Sequence, residues 1–162
     1  MTSTKSKADF ASATKKICLD VQGGSPLSNL SKVISDGQST VTFLRSLERA
    51  ANMDPGELKK LAKIEPPASS GVSATQWRNA TEEVAQDEDA VNTKMDTMAK
   101  QIQSGLSSDD PVGAVAAAEK ALTSRSVLAH AAAATKKRQA DVAAWLRLGR
   151  KAGLAHACDI PT

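Results

Sequence analysis

Apolar residues along this chain recur mostly at three- and four-residue steps, the spacing that gathers them on one side of an α-helix. Phe10, Ala13, Ile17 and Val21 predict a short amphipathic helix from Ala8 to the Gly23-Gly24 break. The first seven residues, MTSTKSK, carry no such pattern and read as a disordered lead. Ser25 and Pro26 open a second helix with Leu27, Leu30, Val33 and Ile34 on its apolar stripe, closed by Gly37. A third runs from Ser39 through Val41, Leu44 and Leu47 to the region of Asn52. Asp54-Pro55-Gly56-Glu57 has the form of a capping box with proline at the first helical position. It predicts a fourth helix through Leu58, Leu61 and Ile64, which Pro66-Pro67 must stop because proline supplies no backbone donor.

Residues 66–74, PPASSGVSA, read as a linker, after which short helices give way to long ones. Trp77, Val84, Val91, Met95, Met98 and Ile102 follow at seven-, four- and three-residue intervals and predict one long helix from Thr75 to Leu106. This heptad seam is interrupted by Thr81 and Glu88, which stand where a coiled coil places apolar groups. Asp110 and Pro111 then open an alanine-rich stretch to Ala152. Val115 and Leu122 share one face of it, whereas Leu128, Ala131, Thr135, Val142 and Leu146 share another. At about 100° per residue that phase jump predicts a break at Thr123-Ser124-Arg125-Ser126. Gly153 closes the helix and LAHACDIPT is left as a tail. The expected fold is all-α: short N-terminal helices (1–65), the linker (66–74), a long antiparallel helical hairpin or bundle (75–153) and a tail (154–162).

Composition sharpens this picture. Of 162 residues 41% are hydrophobic but only 2% aromatic, with no tyrosine, so alanine supplies much of the apolar content. Alanine favours long helices packed along shallow seams, and such seams bury little area each. A chain of this kind gains stability by associating, which points towards assembly or partner binding. The net charge of +3 is unevenly spread. Three basic and six acidic residues lie between Arg78 and Lys100, whereas six basic and one acidic lie between Lys136 and Lys151. Complementary faces of an antiparallel helix pair account for that asymmetry; a basic arm for nucleic acid is the alternative. Cys18 and Cys158, far apart in sequence, could be bridged, but they read as two free thiols in a reducing compartment. No window approaches 18 consecutive apolar residues and the start has no apolar h-region, so neither a membrane span nor a classical signal peptide is expected; the location is otherwise unspecified.

Catalysis needs a reactive group with a second group placed to polarise it. His130 and His156 sit in alanine-rich surroundings, and a Cys158–His156 pair falls on the tail. Asp87-Glu88-Asp89 lacks the glycine and distal glutamate of a calcium loop and reads as a solvated helix face. There is no glycine-rich phosphate loop and no zinc-ligand spacing. The expectation is therefore a protein that is not an enzyme, with no catalytic, cofactor or metal residues and no small-molecule substrate.

Leu47 to Ile64, LERAANMDPGELKKLAKI, resembles a helix-turn-helix: Leu47, Ala51, Met53, Leu58 and Leu61 fall at its core positions, with Asn52 at the turn. Glu48 departs from the pattern, since that family places a small residue there. The resemblance implies a helix from Pro55 entering the DNA major groove, with Lys59, Lys60 and Lys63 as contacts. Lys136, Lys137, Arg138, Arg147, Arg150 and Lys151 form a second cationic candidate suited to phosphate contact. The leading expectation is a non-enzymatic helical assembly or partner-binding protein: a structural subunit of a virion or secretion-type assembly, or an adaptor or chaperone. Its interface would be Trp77, Val84, Val91, Met95, Met98, Ile102, Leu128, Val142 and Leu146, serving self-association or a protein partner. A DNA- or RNA-binding protein is the second reading.

Overall fold

Serine followed three residues later by an acid or amide marks where two of the helices begin, in the computed structural model that describes residues 2–22, 53–122, 124–155 and 158. Helix α1 (Lys7–Gln22) starts at a reciprocal capping box: the Ser6 amide donates to Asp9 Oδ2 at 3.0 Å and the Asp9 amide to Ser6 Oγ at 3.1 Å. Helix α3 (Ala74–Leu106) begins the same way, with Ser73 and Gln76 exchanging two 3.1 Å bonds. Between them lies the short α2 (Pro55–Leu61), where the Asp54 carboxylate accepts from the amides of Gly56 and Glu57. Here the expected box is only half made. Glu57 turns to Lys60, and the Asp54 amide donates instead to the Val21 carbonyl on α1 at 3.2 Å. Helices α4 (Pro111–Leu122) and α5 (Arg125–Ala152) complete the set, separated at 123–124 where the phase jump predicts a break. The chain is all-α, as its periodicity indicates; the predicted helices at Ser25–Gly37 and Ser39–Asn52 lie outside the described residues.

Two expectations near the N-terminus are corrected. Thr2–Ser3 is no loose lead but a two-residue strand, β1, paired in parallel with β2 (Ile64–Glu65), Thr2 opposite Ile64. The Thr4 hydroxyl reinforces the pairing with a 2.6 Å bond to the Glu65 carbonyl. Helix α2 correspondingly stops at Leu61, short of Ile64, because the Lys63 amide folds back to Lys60 and frees the next two residues for the strand. The stretch at 66–74 is packed: Pro66, Pro67 and Val72 are buried around a 3₁₀ turn at Ala68–Ser70, which ends on Gly71 at φ 71°.

The chain forms two compact units. The first comprises Met1–Ser25, Asn52–Asp89 and Lys137–Thr162; the second comprises Pro26–Ala51 and Ala90–Lys136. The described core belongs to the first and is built on three aromatic rings. Phe10 meets Trp77 edge-on at 5.3 Å, and Trp77 stacks on Trp145 at 6.0 Å. Buried indole N–H groups need acceptors. Trp77 Nε1 donates to the Leu61 carbonyl and Trp145 Nε1 to Thr81 Oγ1, both at 3.1 Å, while the Thr81 hydroxyl donates to the Trp77 carbonyl. Partners step in opposite directions along the two long helices, Trp77 beside Gly149, Thr81 beside Trp145 and Glu88 beside Arg138, so α3 and α5 run antiparallel.

Helix α5 ends in a Schellman motif. Gly153 adopts φ 93°, its amide donates to Arg150, and the Leu154 amide reaches back to the Gly149 carbonyl at 2.7 Å. That turn lays Leu154 over Gly149 and brings the chain past Lys7 at the start of α1. Cys158 then meets Cys18 near the end of α1, and the two form a disulfide with Cα atoms 4.9 Å apart. Both earlier expectations fall here: the cysteines are not free thiols, and Leu154 and Cys158 are packed parts of the first unit. Crosslinking across 140 residues stabilises the folded state by about 5 kcal/mol in the chain-entropy account.

Gly149 tests this packing. Glycine to alanine in an exposed helix gains about 1 kcal/mol. At this position a Cβ would lie 2.6 Å from Leu154 Cδ2 and 3.3 Å from Trp77 Cζ3. Gly149→Ala is therefore expected to lower stability in urea unfolding by about 1–3 kcal/mol; a gain would show that the tail does not seat against α5 as described.

Candidate functional site

Below the aromatic rings, the α3–α5 seam turns polar. Glu88 and Arg138 stand at positions where the three- and four-residue rhythm of each helix points inward, and Arg138 Nε donates to Glu88 Oε1 at 2.5 Å. Glu88 is fully buried and Arg138 nearly so. Burial pushes the Glu88 carboxyl above its usual 4.5, against the opposing pull of the guanidinium. Asp87-Glu88-Asp89 is thus not a solvated face: Glu88 is interior, Asp87 half-buried, and Asp89 pairs with Lys59 of α2 at 2.7 Å.

About 100° round α5 from Arg138, Lys137 Nζ is held by three carboxylates, Asp141 at 2.6 Å, Glu83 at 2.8 Å and Asp87 at 2.9 Å. These contacts raise the lysine's affinity for its proton, the Asp141 bond contributing most. Asp87 and Asp141 are driven apart. Burial raises Asp87, while Asp141, despite its own burial, is held below the ordinary carboxylate value by Lys137. The ammonium sits where a cation would otherwise neutralise the three carboxylates. No group of three histidine, cysteine or acidic side chains suited to a metal occurs among the described residues.

The expected interface residues separate into different environments. Trp77, Val84, Val142 and Leu146 are buried in the first unit, where they face other parts of the same chain. Val91 is half-buried, Leu128 is 41% exposed, and the side chains of Met95, Met98 and Ile102 lie outside the described set. The cationic candidates divide similarly. Lys137 and Arg138 are taken up by carboxylates of α3, Lys59 by Asp89 and Lys60 by Glu57. Lys63, Lys136, Arg147, Arg150 and Lys151 lie at the surface.

In the segment resembling a helix-turn-helix, Met53, Leu58 and Leu61 are buried as a two-helix core requires, but they pack with Phe10, Val21 and Trp77. Leu47, Ala51 and Asn52 lie outside the described residues, and α2 is seven residues long. His130 is exposed, with Nδ1 2.7 Å from the Ser126 carbonyl, and Cys158 is in the disulfide. No helix among the described residues is long and apolar enough to cross a membrane.

Sequence reasoning missed Arg138 and Glu88 as a pair. The signal was present: Arg138 continues the spacing Leu128, Ala131, Thr135 into Val142, and Glu88 continues Trp77, Thr81, Val84 into Val91. A charge in an apolar seam on each of two antiparallel helices is a candidate buried pair. Comparisons of the chain with protein-family models, with curated proteins and with solved structures find no match.

Removing one partner of a buried ion pair strands the other charge, whereas replacing both with apolar groups does not. Arg138→Met is expected to cost about 3–5 kcal/mol, and Glu88→Leu with Arg138→Met to lie within about 1 kcal/mol of the parent protein or above it. Equal losses from the single and double variants would show that the pair is not interior. The pH dependence has a definite sign. Because burial raises Glu88, the folded state binds its proton more tightly than the unfolded state, and Glu88's contribution is full below 4.5 and is lost as pH rises through the folded value. The stability of the parent protein relative to Glu88→Gln should therefore decline as pH rises from 4.5, in urea titrations at a series of pH values.

Proposed function

We propose that the protein is a non-enzymatic helical assembly or partner-binding protein, of the kind that serves as a subunit of a virion or secretion-type assembly or as an adaptor or chaperone. The observation that carries this reading is the surface of α4 and the first half of α5 in the second unit. Val112 is 83% exposed and Leu128 41% exposed. Ala116, Ala117, Ala121, Ala129 and Ala132 to Ala134 lie at the surface with them. From Pro111 to Thr135 the chain carries only Glu119, Lys120 and Arg125 as full charges.

Helices with so little charge and such short side chains let another helix approach closely, and the contact loses little side-chain entropy on forming. Exposed apolar surface of this kind is characteristic of protein–protein contact. The first unit differs in degree: Phe10, Trp77, Trp145 and Leu58 are buried in it and its Lys137 and Arg138 hold carboxylates, although its Leu19 is 55% exposed. The same contrast weakens the nucleic-acid reading, since Lys137, Arg138, Lys59 and Lys60 already hold carboxylates.

Absolute mass from light scattering behind size exclusion, at several protein concentrations and at low and high salt, tests the assembly form. A mass above 16.9 kDa that persists in high salt and falls to the monomer value in Leu128→Glu is expected. A monomer at every concentration, unchanged by Leu128→Glu, removes self-assembly and leaves a protein partner as the form of the reading to pursue by crosslinking.

A further inference from the structure

We propose that Asp87 and Asp141 share one proton across the α3–α5 seam, and that this proton makes their junction a clamp, closed in a window of acid pH and slackening as pH rises out of it. Glu83 and Asp87 stand on α3, Lys137 and Asp141 on α5, and all four belong to the first unit. Lys137 bonds to both helices, so the cluster is a tie between them. Its charges do not balance. Three carboxylates meet a single ammonium, and the guanidinium of Arg138 is held by Glu88. Asp89, paired with Lys59 of α2, lies about 200° round α3 from Asp87 and points away. Within a turn of the pair on either helix, the charged groups that face it are therefore Glu83, Glu88, Lys137 and Arg138.

The carboxyl groups of Asp87 and Asp141 lie within hydrogen-bonding reach of each other. Two ionised carboxylates have no donor between them and repel; a proton on one turns the same contact into a hydrogen bond. Asp87 is the holder. Its Oδ1 accepts from Lys137, whereas its Oδ2 is buried and meets no donor. Burying an oxygen without a donor penalises an anion more than a neutral acid. Asp141 has the shortest of the three bonds to Lys137, one turn behind it on α5, and stays the anion that accepts from Asp87.

Both partners set the pH dependence. Burial raises Asp87 above its usual 3.8, so the folded protein binds that proton more tightly than the unfolded chain. Its contribution is full below 3.8 and is lost as pH rises through the folded value. Asp141, which burial would raise, is held below 3.8 by Lys137 and by the bond from Asp87, so its contribution is present above 3.8 and lost as pH falls through the folded value. The clamp is complete between the two folded values. Above the upper one, two anions face each other across the seam.

The test is a carbon-13 NMR titration of the side-chain carboxyl groups in the full chain, with urea unfolding over the same pH range. Asp87 is expected to titrate above 3.8 and Asp141 below it, each signal showing a smaller second step at the other's midpoint. Asp87→Asn keeps a donor for Asp141 that cannot be titrated away, so Asp141 should keep its low midpoint there and move upward in Asp87→Ala. The stability of Asp87→Asn relative to the parent protein should rise with pH; Glu88, common to both, cancels in the difference. If the alanine variant fails to fold, the parent titration and the asparagine variant carry the test. An Asp87 midpoint at or below 3.8, equal Asp141 midpoints in the two variants, or a stability difference that does not move with pH would each overturn the shared proton.

Discussion

The stack of Trp77 on Trp145 holds α3 to α5, and the other contacts of the first unit are arranged around it. Aromatic side chains are scarce in this chain, so each buried ring carries a large share of the apolar area taken from water. Phe10 brings α1 to the same point, Leu61 supplies the acceptor for the Trp77 indole, and Leu154 seats on Gly149 at its edge. Gly149 has no side chain because the ring and the leucine already fill the space one would need. Among the described residues, a chain rich in alanine gathers three aromatic rings into one core.

Polar residues set how the two long helices align. Apolar side chains tolerate sliding by a turn, since one alanine or valine packs much like another. The polar groups do not tolerate it: the Trp145 indole must meet Thr81 and Glu88 must meet Arg138, or each is left buried without that partner. The cost of a stranded buried charge is several kcal/mol. That penalty applies to every wrong register, so these residues select one alignment even where a wholly apolar seam would hold as tightly.

The features legible in the sequence are those written in local spacing. The spans of α1, α3 and α5 follow from three- and four-residue periodicity, and the break after Leu122 follows from a shift in its phase. Thr81 and Glu88 looked like flaws in the α3 seam because a single helix does not reveal what the opposite helix offers. The charge asymmetry between the two stretches did contain the answer in outline, as Lys137 and Arg138 find their carboxylates on α3. Contacts that join distant residues left no local trace. Thr2 pairing with Ile64 and Cys18 bonding to Cys158 come from folding that brings together residues far apart in sequence. Of the candidate surfaces, the exposed alanine-rich face is visible as composition, but which of its residues point outward is settled only by packing.

The disulfide also has a mechanical consequence. A pull applied to the chain ahead of Cys18 and behind Cys158 travels from one sulfur to the other and bypasses the 140-residue separation between them. Neither the tryptophan stack nor the buried ion pair lies on that load path. Phe10 and the Thr2–Ile64 pairing, which lie ahead of Cys18, meet that pull directly, whereas the chain between the two cysteines is spared it.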